Sequence, residues 1–221
     1  RSTLFPYTTL FRSNQRAGRR TRRTDGRSPG SEAGIAQETP GMSAPRLPRR
    51  RMLLVDTSVL LEVLRVPFES DRSAEVTEEF DDHLRKGVAL QIPMASVLET
   101  GSHIRRIRNG DARRRCARTF TLFLEQALIE QPPWRFSPFA WNESVIRNLL
   151  DGEGHGYSLI RSIGDGIFEI GDLTIIEEWR IIFHNVSPKV YDIDVWTLDS
   201  TLRGIIDGLR AQRFSSPPST G

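Results

Sequence analysis

Residues 52–55 (MLLV) are an apolar run of strand length. Asp56-Thr57-Ser58 follows at once, three residue types that start helices, so a buried strand feeding a helix is expected. Val59, Leu60, Val63 and Leu64 then recur at helical spacing, and Val76, Phe80 and Leu84 mark a second amphipathic helix that Gly87 stops. Residues 88–92 read as a second buried strand closed by Pro93, with Ser96 opening a helix through Val97, Gly101, Ile104 and Ile107. Ala112, Cys116, Phe120, Phe123 and Ala127 share one face of a long helix that Pro132-Pro133 ends. Residues 134–166 are the least regular. They carry a helical stretch near 144–150 and a glycine group, Gly152, Gly154 and Gly156, which predicts a mobile connection. Residues 167–170 are expected to be a short strand and 172–186 a helix bearing Ile176, Trp179 and Phe183. Residues 193–198 read as a strand and 202–209 as the last helix. Strands alternating with helices imply an α/β three-layer sandwich with a central parallel sheet of four to five strands.

Charge divides the chain before Met52. Residues 1–51 hold twelve arginines against Asp25, Glu32 and Glu38, a net +9, which leaves −6 for residues 52–221 of a chain that is +3 in all. A basic balance marks a nucleic-acid binder only when it sits on the folded domain. Here the expected domain is acidic. The first 51 residues are rich in Arg, Gly, Ser, Pro and Thr and poor in apolar side chains, a composition that buries too little surface to offset its ordering entropy. Their opening, RSTLFPYTTLFRS, repeats TLF and resembles translated vector or adaptor sequence. We therefore expect a disordered or non-native leader over 1–51, with Met42 or Met52 as the true start, one domain over 52–210, and a disordered tail over 211–221. The RRTRR cluster at 19–23 reads as a solvated tail before it reads as a nucleic-acid arm. Cys116 is the single cysteine, which excludes an intrachain disulfide and a Cys-rich metal site and suits a reducing cytoplasm. No apolar run is long enough to span a membrane, and the leader has no secretory h-region.

The acids fall where an open parallel sheet places its ligands, beyond the carboxyl ends of the strands. Asp56 ends LLVD and Asp199 ends VWTLD; Glu99 lies early in the helix after the second strand, and Asp172 starts the helix after IFEIG. Four carboxylates from four distant segments would share one pocket. Such a cluster repels itself unless a cation is present, and hard cations such as Mg²⁺ or Mn²⁺ take oxygen ligands of this kind.

MLLVDTSVLLEVL, IPMASVLETGSHI, GDLTIIEEW and VWTLDSTL, in that order from Met52 to about Leu209, resemble the four acidic motifs of the PIN domain family. The resemblance implies a metal-dependent endoribonuclease that cleaves RNA phosphodiester bonds through activated water. Such proteins are often the toxin of a toxin–antitoxin pair, which adds an antitoxin protein as a partner and leaves open a homodimer. By carry-over, Asp56 is the central ligand, Glu99 and Asp172 complete the metal site, and Asp199 binds a second metal or orients it through water. Thr57 or Ser58 would support Asp56 or a phosphate. The interval from Asp172 to Asp199 is long for the family, so Asp165, Glu169, Asp192 or Asp194 could replace one of these ligands.

Arg105, Arg106, Arg108, Arg113 and Arg114, with Arg115 and Arg118, form a basic stretch in an otherwise acidic domain. It suits a phosphate track for RNA. The competing reading is a solvated face paired with nearby acids. Asp56 and Asp172 also have a purely structural reading, as helix caps. His83, His103, His155 and His184 lack metal-ligand spacing and read as surface residues, and Cys116 reads as core. Two rivals remain: a non-catalytic PIN-like module that binds RNA or a protein, and a phosphoryl-transfer enzyme of the haloacid-dehalogenase type. The latter needs a second Asp where this chain has Ser58.

Overall fold

The computed structural model describes residues 49–167 and 169–215. The expectations placed on residues 1–48 and on the end of the tail lie outside these. The elements in chain order are β1 (Arg50–Val55), α1 (Thr57–Val63), α2 (Ser73–Arg85), β2 (Ala89–Ile92), α3 (Met94–Arg106), α4 (Gly110–Gln126) and β3 (Arg135–Phe136). They continue with α5 (Glu143–Asp151), α6 (Leu159–Gly164), α7 (Ile170–Asn185), β4 (Tyr191–Trp196) and α8 (Ser200–Ser215).

The four strands form one parallel sheet in the order β3-β2-β1-β4. β1 lies inside it, with Leu54 beside Gln91 of β2 and Val195 of β4. Helices cover both faces, which is why the inner ends of β1 and β2 are buried on both sides rather than alternating, Leu53, Leu54 and Val55 in β1 and Leu90, Gln91 and Ile92 in β2. On one face Leu54, Ile193 and Val195 pack with Ile175, Ile176, Trp179 and Phe183 of α7 and with Leu202 and Ile206 of α8. Trp179 Nε1 donates to Ile193 O at 3.4 Å, so the large ring is buried with its polar atom directed at the strand. On the other face an aromatic group joins α2, α4 and β4. Phe80 lies edge-on to Trp134 at 5.3 Å and stacks with Trp196 at 6.0 Å, while Phe123 stacks on Trp134 at 4.4 Å. The three-layer α/β sandwich is thus present with four strands.

Several elements differ from the pattern read along the chain. Residues 167–170 hold no strand among the described residues: Ile170 begins α7 and is about half exposed. A four-residue segment interrupted by Glu169 is too short to fix a period, and here Glu169 caps a helix that begins two residues upstream of Asp172. The fourth strand is instead β3, two residues long, paired to Gln91 and Ile92. The short helix α6 also appears in the irregular region. β1 takes in Arg50 and Arg51, which the composition assigns to the leader, and α8 runs to Ser215.

The glycine group forms a turn after α5 in which Gly152 and Gly154 are closely packed. Gly152 closes α5 in the left-handed region (φ 76°), and a Cβ there would stand 2.5 Å from Ser158 N, so both backbone shape and space require glycine. His155 in the same turn is buried, as is His83 in α2, so neither is a surface residue. His83 meets the edge of Trp196, and His155 Nδ1 accepts from Tyr157 N at 3.2 Å. Cys116 is buried in α4, as expected of a core position. No helix among the described residues is long and apolar enough to cross a membrane.

Candidate active site

Asp56 is the first residue past β1, buried, with its backbone N donating to Trp196 O at 3.0 Å. Its Oδ2 accepts three hydrogen bonds: Ser58 N at 3.3 Å, Ser58 Oγ at 2.6 Å and Thr197 Oγ1 at 2.8 Å. The first of these caps α1. The other two tie β1 to the end of β4, because Ser58 Oγ also accepts from Leu198 N at 3.0 Å and Thr197 Oγ1 from Asp199 N at 2.9 Å. None of the three occupies Oδ1. One oxygen is therefore fixed by the protein, and the carboxylate plane is set with it.

Glu99 comes from the second turn of α3. That helix is pinned to the end of β1 by Ser96 Oγ, which donates to Val55 O at 2.9 Å in the core. Thr57 Oγ1 donates to Glu99 Oε2 at 2.7 Å. Thr57 therefore holds the second acid, rather than Asp56 or a phosphate as its place beside Asp56 suggests. Burial raises the Glu99 carboxyl above its ordinary range, the Thr57 bond opposes this, and Asp56 and Glu169 raise it further by repulsion.

Asp172 stands in the first turn of α7 and forms a capping box with Glu169: its Oδ2 accepts from Glu169 N at 3.3 Å, while the Glu169 side chain accepts from the Asp172 backbone. The structural reading of Asp172 as a cap is therefore correct as far as it goes. It does not account for the electrostatics. Burial pushes the Asp172 carboxyl up to about 7; Asp56 raises it next, the Glu169 backbone bond opposes, and Asp199 and Glu99 add smaller repulsions. Asp199 is exposed and also caps a helix, with Oδ1 accepting from Thr201 N at 2.6 Å and Leu202 N at 3.0 Å.

Asp172 and Asp199 line one cleft of about 280 Å³ together with Glu169, Gly166, Ile167 and Thr201. Asp199 also borders a second cleft of about 470 Å³, whose walls include Arg51, Arg72, His83 and Arg203. Neither cleft is lined by Asp56 or Glu99, so neither is the single pocket for all four acids that the sequence led us to expect; what links the four is the repulsion that Asp56, Asp199 and Glu99 exert on Asp172. Among the described residues no three His, Cys, Asp or Glu side chains stand close enough together to hold an ion.

Of the alternative acids, Glu169 is at the site, against Glu99 and on the cleft wall. The other three are engaged elsewhere. Asp192 pairs with Arg210 at 3.3 Å, Asp194 with Arg203 at 2.9 Å, and Asp165 lies 4.0 Å from Arg161 at the end of α6. The basic stretch is solvent-facing: Arg105, Arg106 and Arg108 lie at and just after the end of α3, and Arg113, Arg114, Arg115 and Arg118 lie on α4. Arg114 is paired with Asp111 at 2.5 Å and Arg113 donates to Ile107 O at 3.2 Å, so the paired-face reading holds for part of it.

Sequence reasoning missed two groups. Gly171 lies directly against the Glu99 carboxylate, a contact between distant segments that leaves no local signature. A buried ion pair on the far side of α7, where Glu177 takes two bonds of 2.8 Å from Arg180 and one of 3.2 Å from Asn148 Nδ2, was hidden by the strong helical pattern. No protein-family model, curated protein or solved structure matches the chain.

Proposed function

We propose that this chain is a metal-dependent endoribonuclease of the PIN type, with Asp56, Glu99, Asp172 and Asp199 as its acidic centre. The observation that carries the reading is that Asp172, whose carboxyl stands at about 7 chiefly through burial, is also raised by Asp56, Asp199 and Glu99, three acids from other segments. Capping explains why Asp172 and Asp199 begin their helices. It does not explain why four acids from four distant segments lie in one another's field, an arrangement that is costly in a bare protein and useful around a cation.

The donor chemistry fits a hard ion, Mg²⁺ or Mn²⁺, because every candidate ligand is a carboxylate oxygen. Asp56 is suited to the central place: Oδ2 is held by Ser58 and Thr197, and Oδ1 takes none of those bonds. Glu99 is steadied by Thr57, and Asp172 and Asp199 are steadied by their own helix termini. When bound, the ion supplies a water of lowered pKa and stabilises charge on the phosphoryl oxygens. The exposed arginines Arg105, Arg106, Arg108, Arg113 and Arg114 serve as the phosphate track that keeps a polyanion beside an acidic domain. The toxin role, an antitoxin partner and a homodimer rest on the resemblance alone.

The loose grouping of the acids favours a second reading, a PIN-like module that binds RNA or a protein without turnover. One experiment separates the two. The full chain and its Asp56→Asn variant are incubated with single-stranded and structured RNA, with Mg²⁺, Mn²⁺ or a chelator. Cleavage that needs the metal and is lost in Asp56→Asn supports the nuclease. RNA or metal binding with no cleavage under any condition overturns it in favour of the binding module.

A further inference from the structure

Gly171 is the second residue of α7, buried, in ordinary right-handed helical conformation. Nothing in the backbone asks for glycine there, and alanine is the better helix former. The reason lies in space. A Cβ on Gly171 would overlap Oε1 and Cδ of Glu99 and stand 2.8 Å from Oε2. The other described helical glycines do not behave this way: Gly101 has its nearest neighbour at 3.9 Å, Gly110 at 3.7 Å, and Gly164, Gly204 and Gly208 have nothing within 4 Å. Gly154 also makes room for a charged group, the Arg180 guanidinium at 2.6 Å, but from a left-handed turn (φ 83°) that asks for glycine by itself. Among the described helical glycines, Gly171 alone makes room for a carboxylate.

We propose that Gly171 is a positioning residue: its bare Cα forms the floor on which the Glu99 carboxylate rests, and the Thr57 hydroxyl forms the wall that holds it there. The inference rests on the reading of Glu99 as part of a cation site. Glu99 reaches the site along α3, is gripped at Oε2 by Thr57 and lies with Oε1 against α7, beside the turn that carries Asp172. Any side chain at 171 lifts the carboxylate off α7. The obstacle is the free end of a flexible side chain and not backbone, so the helix keeps its place and Glu99 moves. Fold and site geometry are therefore separable at this position.

The test compares the full-length protein with Gly171→Ala, Glu99→Asp and the double variant. In metal-free protein, the Glu99 carboxyl ¹³C shift at one fixed pH reports the group's surroundings, and Gly171→Ala should change it as the carboxylate is lifted off α7. Mn²⁺ alone, followed by electron paramagnetic resonance, should bind at least about tenfold more weakly to Gly171→Ala, the scale of a disturbed supporting shell. Glu99→Asp should bind weakly by itself. Adding Gly171→Ala to it should cost little more, because the shorter carboxylate no longer meets the methyl.

An unchanged Glu99 carboxyl shift overturns the proposal, as does a Gly171→Ala loss of Mn²⁺ binding that is as large in the Glu99→Asp background as in the wild type. If the wild type takes up no Mn²⁺, the cation-site reading fails and the metal-free carboxyl shift alone decides the positioning role. If Gly171→Ala melts low, the same substitution in a Glu99→Ala background decides it. The loss should vanish there if Glu99 is the obstacle, and its persistence would overturn the proposal.

Discussion

Ser58 and Thr197 do more for Asp56 than a helix cap requires. Each hydroxyl donates to Oδ2 and also accepts a backbone N–H from the stretch after β4, so the two side chains join the ends of two neighbouring strands through one carboxylate oxygen. Ser58→Ala removes a 2.6 Å bond and leaves Leu198 N without its acceptor; a loss of roughly 1–3 kcal/mol in urea unfolding is expected. A loss below the error of the midpoint would show that water replaces the hydroxyl. A different sign is expected at Glu178, which is 3 % exposed, with Oε1 lacking a hydrogen-bond partner and a carboxyl raised by burial from 4.5 to about 7. The folded state holds this proton more tightly than the unfolded chain, so the contribution to stability falls as pH rises from 4.5 to about 7 and stays low above that. Glu178→Gln should therefore raise the melting temperature at pH 8, by up to roughly 3 kcal/mol in stability, and lose that advantage near pH 4.5. Equal shifts at both pH values would point to packing rather than charge.

At the scale of elements, sequence and structure agree wherever a period is long. α2, α4 and α7 each carry three or more apolar positions on one face, and those positions, Val76 and Phe80, Cys116 and Phe120, Ile176 and Trp179, are the ones buried. β1 ends in the apolar run 52–55 followed at once by a helix, and β4 buries alternate residues, Ile193 and Val195, before its helix. Short elements are where the reading fails: β3 is two residues, too few to show alternation, and residues 167–170, apolar but for Glu169, are too few to choose a period. The same limit applies to the site. Asp56 stands out in the sequence because it directly follows a strand; Asp199 lies three residues past β4, Glu99 in the second turn of its helix, and Asp172 in a helix that no described strand leads into, so their places differ from the junctions expected. The hydrogen bonds that orient these acids, Thr57 to Glu99 and Thr197 to Asp56, cross between segments and could not be read locally. The basic stretch yields an element-scale prediction. Replacing Arg105, Arg106 and Arg108 together by Gln should weaken RNA binding uniformly across sequences and flatten its salt dependence, by a slope of about 1 for each phosphate that is no longer neutralised. An unchanged slope in a filter-binding series would return these residues to a solvated face.

Across the whole molecule, Asp172 and Glu178 titrate in overlapping ranges, with ordinary values of 3.8 and 4.5 both raised to about 7. Both midpoints lie above those of the unfolded chain, so both favour the folded state at low pH and withdraw that support as pH rises toward 7. The share of stability due to these two carboxyls should therefore fall between about pH 4 and 7, against the opposite trend of the buried His83 and His155 imidazoles; scanning calorimetry isolates it as the difference between wild type and Asp172→Asn or Glu178→Gln. The two groups separate when a cation is added. Mn²⁺ at the acidic centre should restore the part due to Asp172 at pH 8, with a melting temperature that climbs with ion concentration as binding to the native state alone requires. The part due to Glu178 should remain. A pH profile that Mn²⁺ leaves untouched would separate Asp172 from any cation site.

The hydrogen bond from Thr197 to Asp56 spans 141 residues of chain, and β1 has β4 as its neighbour along its whole length. Synthesis runs from the N-terminus at a few to about twenty residues per second, and pairing this distant is slow to form. A ribosome-bound chain thus displays Asp56 and Glu99 for several seconds before Thr197 and Asp199 exist. The anchoring of Asp56 by Thr197 is therefore a late event, possible only once β4, the last of the described strands in the chain, has emerged to pair with β1.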